Sequence, residues 1–185
     1  EMNPSTTIVD LESDQYVRIL KNLTDDNPSD VHVRVRASFA LTEKALDADR
    51  DAYIVSYCNT IKTYSGGTNV DGLKDGLVKF FNKNIVPSFG KRDQDLHVLP
   101  SDIYAGLCGV VVAMVHVPEF EGQHKDRINN PEIKFAVRDA VCEALEKQKP
   151  QVIKEIADFI KRVARGRMAS KKVRTKDVTS AFSKD

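Results

Sequence analysis

The sequence predicts an α+β sandwich, with helices stacked on one face of a mixed sheet. Three patterns predict it. Val31 to Leu41 alternates with a period of two, Leu107 to Val117 is a mainly apolar run rich in valine, and two later segments carry apolar stripes at helical spacing. With 185 residues, 41% of them hydrophobic and 30% charged, the chain has room for one ordinary domain and one core, which excludes a large multidomain enzyme. Lys and Arg total 28 against 27 Asp and Glu, so the net charge of +1 steers the chain toward no partner. The longest apolar run falls well short of the roughly 20 residues of a bilayer span, and His116 interrupts it. The start, Glu1 to Ser5, has no basic or apolar signal region, so a cytosolic location is expected. Cys58, Cys108 and Cys142 lie in apolar contexts, an odd number better suited to reduced core thiols than to a disulfide framework.

Leu11 to Leu23, with Tyr16, Ile19, Leu20 and Leu23 apolar, reads as a short helix within an N-terminal linker over residues 1–30. In the first strand Val31, Val33, Val35, Ala37, Phe39 and Leu41 face the core, and His32, Arg34, Arg36 and Ser38 face outward. A polar stretch, Ala45 to Asp51, leads into a second strand over Ala52 to Ile61, and the two are expected to pair as a hairpin with a long loop. Gly66-Gly67 breaks the chain, and Thr68 is placed to cap a helix whose stripe is Val70, Leu73, Leu77, Phe80 and Phe81, ending near Asn84. Ser88 to Asp95 reads as a loop. Leu107 to Val117 is too apolar for an edge and belongs mid-sheet, stopped by Pro118. Asn130-Pro131 reads as a cap followed by proline at the first helical position, opening a helix with Ile133, Val137, Ala140, Val141, Ala144 and Leu145 on one face. A last helix starts near Pro150. The core thus spans 31–148, a connecting helix with a basic end spans 149–178, and a tail spans 179–185. The helix between the second and third strands implies a crossover, ordinarily right-handed.

Chemistry is sparse. The four histidines, His32, His97, His116 and His124, are scattered, and no Cys-x-x-Cys or His-x-x-x-His spacing occurs, so no metal site is expected. Gly66-Gly67-Thr68 has no lysine following it, as a phosphate-binding loop needs, and reads as a turn. No nucleophile elbow is present. Two features stand apart. Lys161 to Lys176 holds eight basic residues and no acidic one, suited either to a solvated helix end or to contact with nucleic-acid phosphate. Pro118 to Arg127 follows the buried strand as a polar loop with a hinge at Gly122, expected to be extended with Gln123 and Lys125 on one side. An ammonium and an amide so placed suit a phosphoryl-transfer site.

At this loop the sequence resembles a known family. Pro118 to Gln123, followed by His124-Lys125, is similar to the Phe-Glu-Gly-Gln-Thr-Lys loop of the B subunits of bacterial type IIA DNA topoisomerases, gyrase and topoisomerase IV. Upstream, Asn59-Thr60-Ile61-Lys62-Thr63-Tyr64-Ser65-Gly66-Gly67-Thr68-Asn69 resembles the family's Asn-x-Ile-x-Thr-x-x-Gly-Gly-Thr-His. Asp102-Ile103-Tyr104-Ala105-Gly106-Leu107 resembles its Asp-Val-Arg-Glu-Gly-Leu. The matches occur in the family's order over about Val31 to Lys176. Asn69, His124 and Tyr104-Ala105 depart from the pattern, while Gln123 and Lys125 keep it.

The resemblance implies a transducer domain with a fold like the second domain of ribosomal protein S5, including a left-handed βαβ crossover. It implies that Lys125 is the catalytic contact to the ATP γ-phosphate and that Gln123 assists it, in an ATP-hydrolysing isomerase that needs ATP and magnesium when whole. None is expected to bind this chain alone, which should be inactive. The implied partners are a preceding GHKL-type ATPase domain, a second copy forming a homodimer across the ATPase gate, a DNA-cleavage subunit or domain, and DNA, with no membrane. Arg162, Arg165, Arg167, Lys171 and Lys172 are the candidate DNA contacts. The location implied is cytoplasmic at the nucleoid, or nuclear for a eukaryotic-type relative. The alternative is an S5-like nucleic-acid-binding module without ATPase coupling, using His32, Arg34, Arg36 and the basic tail.

Overall fold

A computed structural model of the protein describes residues 8–19, 29–42, 52–90, 93 and 95–182, with side chains along the last helix described as far as Ser170. Five strands form one mixed sheet. They are β1 (Ile8–Ile19), β2 (Ser29–Leu41), β3 (Ala52–Cys58), β4 (Ile61–Lys62) and β5 (Leu107–Val115), in the order β1-β2-β5-β3-β4. Helices α1 (Thr68–Asn84) and α3 (Pro131–Glu146) cover one face, a short α2 (Pro100–Tyr104) precedes β5, and α4 (Pro150–Phe182) closes the chain. The α+β class and the central place of the Leu107 strand are as expected. The helix at Pro100–Tyr104 was not expected from the sequence pattern.

Three expectations are corrected. The N-terminal segment is not a helix: β1 pairs antiparallel with β2 along its whole length, Ile8 opposite Ala40 through Ile19 opposite Ser29. Residues 8–19 therefore belong to the sheet rather than to a linker, and residues 20–23 of the expected helix lie outside the described residues. Second, β2 and β3 are not a hairpin. β5 lies between them, antiparallel to β2 and parallel to β3, so the chain from β3 through α1 to β5 is the crossover. Third, β3 ends at Cys58, and Asn59, at φ 53°, turns the chain into β4.

β5 stops at Val115, before Pro118, and Asn59 caps its end. The Asn59 amide donates to the Val115 carbonyl at 3.1 Å and accepts from the Val115 N–H at 3.0 Å, replacing the peptide that a longer strand would have offered. Asparagine tolerates the left-handed backbone this position demands.

The core lies between the inner sheet face and the helices. Val33, Val35, Val111 and Ala113 of the sheet meet Leu73, Leu77, Phe81, Ile133, Val137 and Val141, all buried. α1 and α3 approach closely because α1 carries glycine at successive turns. A Cβ at Gly72 would sit 2.6 Å from the Lys134 carbonyl oxygen, and one at Gly76 would sit 2.8 Å from Val141 Cβ. α4 adds Ile156, Ala157, Phe159 and Ile160 to the same cluster.

Candidate functional site

The polar loop after β5 folds back on itself as a small hairpin, β6 (Phe120–Glu121) paired antiparallel with β7 (Arg127–Ile128). It is not the extended loop that the alternation suggested, because Gly122 at φ 75° and Lys125 at φ 56° both turn the backbone left-handed. Gln123, His124 and Lys125 occupy the tip and are exposed.

The base of this hairpin is tied on two sides. Asn129 N–H donates to the Glu119 carbonyl at 2.8 Å, closing the neck. The flank of the hairpin lies along the Gly-Gly turn: Ser65 N–H donates to the Asp126 carbonyl at 2.9 Å, and Ile128 N–H to the Gly66 carbonyl at 3.2 Å. Two of the sequence motifs therefore meet in space. The Arg127 guanidinium reinforces the contact, lying 3.5 Å from Asp71 of α1 and 3.4 Å from Glu121, and donating to the Ser65 carbonyl at 3.3 Å.

Thr68 does not cap α1. The cap position falls on Gly67, and the Thr68 hydroxyl is buried with no hydrogen-bond partner among the described residues. The next residue is better satisfied: Asn69 is fully buried, donates to the Tyr57 carbonyl at 3.2 Å and accepts from Val70 N–H at 2.9 Å. Asn130 does occupy the cap position of α3, but its side chain makes no capping bond. It turns instead to the loop, donating to the Val117 carbonyl at 3.1 Å and to Glu132 Oε1 at 2.8 Å, and accepting from Glu119 N–H at 2.6 Å.

The electrostatics of the tip set Lys125 apart from its neighbours. Its Nζ lies 5.8 Å from the centre of the Phe120 ring, and no carboxylate among the described residues pairs with it. By contrast the row on β2 is neutralised. Arg36 bonds Glu12 through two nitrogens at 2.9 and 2.6 Å, while Arg34 at 3.0 Å and His32 at 2.7 Å share Asp14. The Arg34 and His32 hydrogen bonds hold the Asp14 carboxyl below its ordinary value of 3.8.

In the basic helix two arginines are paired over long range. Arg165 pairs with Asp93. Arg167 binds the buried Asp102 with two bonds, at 2.8 and 2.9 Å, and also donates to the His97 carbonyl. Arg162 stacks over the Phe159 ring at 5.8 Å, and the side chains of Lys171 and Lys172 lie outside the described residues. Sequence reasoning missed Asp93 and Asp102 as partners, and missed Asn130 and Arg127 as supports of the loop. Among the described residues no group of three His, Cys, Asp or Glu side chains could hold a metal ion. No helix among them is long and apolar enough to cross a membrane.

The family model for DNA gyrase B matches residues 7–176. The chain belongs to the DNA gyrase B family. Its relatives include the DNA gyrase B protein of Thermotoga maritima, 38% identical over 125 residues, covering 65% of this chain and 19% of the relative. The mitochondrial DNA gyrase B protein of Arabidopsis thaliana is 31% identical over 183 residues, covering 91% of this chain and 24% of the relative. The chain thus spans about a fifth to a quarter of these gyrase B proteins. Among solved structures, the 43K ATPase domain of Thermus thermophilus gyrase B, in complex with an aminocoumarin, superposes with a TM-score of 0.65 at 25% identity, over 90% of this chain and 42% of that one. A topoisomerase IV ATP-binding domain of Francisella tularensis gives 0.59 at 25% identity, over 83% and 40%.

Proposed function

We propose that this chain is the transducer of an ATP-dependent type II DNA topoisomerase, and that the hairpin tip senses the γ-phosphate of ATP held by another domain. The observation that carries the reading is the tip itself, where Lys125 and Gln123 stand exposed on a hairpin whose base is tied. The donor set fits an anion: an ammonium with no carboxylate partner among the described residues beside an amide and an imidazole. Lys125 supplies charge to the transferred phosphoryl group, and Gln123 orients its oxygens. Magnesium and the attacking water belong to a preceding GHKL-type domain.

Loss of the γ-phosphate removes the ligand of Lys125, so the hairpin and the sheet behind it are released as a unit from the ATPase domain. That two-state contact couples nucleotide state to the DNA gate of a dimeric enzyme that works with a cleavage subunit. The crossover from β3 through α1 to β5 takes the left-handed, S5-like form that the family resemblance implies. The tail beyond Ser170, with Lys171 and Lys172, together with Arg162, faces the DNA. Arg165 and Arg167 serve the fold first, as their aspartate partners indicate. The same logic disfavours a nucleic-acid module built on His32, Arg34 and Arg36, because Glu12 and Asp14 already satisfy that row.

In the full-length protein, Lys125→Ala should lower steady-state ATP hydrolysis by several orders of magnitude, since a charge aimed at the phosphoryl group acts mainly in the transition state. An unchanged rate removes the lysine from the mechanism. The chain alone should show no ATPase activity, and turnover that survives Lys125→Ala would overturn the assignment.

A further inference from the structure

We infer that Asn130 is a positioning residue for Lys125, an inference that rests on the proposed role of the hairpin tip. An asparagine at a helix cap ordinarily accepts a hydrogen bond from the second or third N–H of the helix. Asn130 does not. Its side chain, 1% exposed, is given wholly to the neck of the hairpin and to Glu132: Val117 carbonyl on one side, Glu119 N–H on the other, and the Glu132 carboxylate behind.

The bonds to Val117 and Glu119 join two bodies, and the bond to Glu132 holds the amide in place from within α3. The backbone of Asn130 begins α3, whose first turns are anchored in the core by Ile133, Ala136 and Val137, all at most 1% exposed. The partners at Val117 and Glu119 flank the point where the chain leaves β5 for the hairpin. Asn130 therefore holds the neck of the hairpin against the start of α3, beside the Asn129–Glu119 bond, while Ser65, Gly66 and Arg127 hold one flank. From Glu119 the two strand residues of β6 and the turn carry the tip outward by roughly 7–10 Å. A tilt of about 6–8° at the neck moves the tip by about 1 Å, and displacements of that size cost roughly a hundredfold in rate when a group must meet a reacting phosphoryl.

The side chain cannot be replaced by its acid. In Asn130→Asp the oxygen still accepts from Glu119 N–H, but the second oxygen faces Glu132 Oε1 and the Val117 carbonyl with no proton between them. Adding Glu132→Gln restores a donor at the Glu132 position. The Val117 carbonyl stays without its donor, so the recovery is partial.

The test is steady-state ATP hydrolysis by the full-length protein, with kcat and KM resolved. Asn130→Ala should lower kcat by roughly tenfold to a hundredfold, with KM changed less than about threefold. Combined with Lys125→Ala it should be no slower than Lys125→Ala alone, because no ammonium is left to position. Asn130→Asp should fall similarly, and Asn130→Asp with Glu132→Gln should recover part of the loss. A residue that merely holds the fold lowers kcat on both backgrounds alike, so a multiplicative loss overturns the proposal, as does a wild-type kcat in Asn130→Ala. If Asn130→Ala does not fold, the Asp and Asp/Gln pair decides, and failure to recover overturns it. These results leave the role of Lys125 standing. A wild-type rate in Lys125→Ala removes that role and this inference together.

Discussion

At Gly67 a Cβ would lie 2.2 Å from the Ile128 carbonyl oxygen, and the backbone takes φ 127°, so glycine alone lets the turn meet the hairpin. The pair of glycines is visible in the sequence as a break; the partner that makes the second one necessary lies far along the chain in β7 and is not. The same limit applies to Asn130, where the sequence signal for a helix cap marks the right residue and the wrong partner, since a cap and a loop clasp use the same atoms. The cysteines divide by burial. Cys58 is fully buried at the end of β3 and its thiol is pushed up to about 11 by burial, whereas Cys108 and Cys142 are partly exposed. With so little thiolate near pH 8, native Cys58 should resist iodoacetamide and react only on unfolding. Mass spectrometry after brief labelling at pH 8, with and without urea, checks this; rapid native alkylation of Cys58 contradicts the burial.

At the scale of elements, the outward faces of β1 and β2 carry a cross-strand charge ladder, Glu12 opposite Arg36 and Asp14 opposite Arg34. β2 was legible because its inner face is wholly apolar. β1 was not, because Ser13 and Gln15 point inward and break the alternation, while Tyr16, Ile19, Leu20 and Leu23 imitate a helical stripe. The sheet order was equally hidden: a strand placed between two sequence neighbours leaves no local trace.

The long helix is oriented by long-range ion pairs. Arg167 to Asp102 is the strongest by geometry, joining α4 to the helical turn that enters β5, with the Asp102 side chain 3% exposed and the Arg167 side chain 31%. Removing Arg167 strands a buried carboxylate. A fully buried pair costs about 3–5 kcal/mol when broken, and the partial exposure of the arginine reduces this to about 2–3 kcal/mol. Urea unfolding of Arg167→Ala against the parent chain measures it, and a loss below about 0.5 kcal/mol would show that the pair is only a surface contact.

For the whole molecule, the α+β class, the positions of α1, α3 and α4, and the central strand followed from periodicity and turn residues. The role of the loop followed only in part: its place after the buried strand marks Gln123 and Lys125 as candidates, and the resemblance of three ordered motifs gives them a role. The fold gives that resemblance a physical arrangement. The Asn59 amide holds one end of β5 at the hairpin neck, Asp102 ties the other end to α4, and one continuous strand joins the two. In the proposed function, this strand is the path from the tip to the long helix.

The central claim, that Lys125 reads the γ-phosphate, is tested most directly by acylating the full-length protein and quantifying modification of Lys125 by mass spectrometry in three states: no nucleotide, ADP, and a non-hydrolysable ATP analogue. Protection of Lys125 by the analogue, with ADP giving the same modification as no nucleotide, is the predicted result. Equal modification in all three states, at nucleotide concentrations shown to saturate binding, would contradict it.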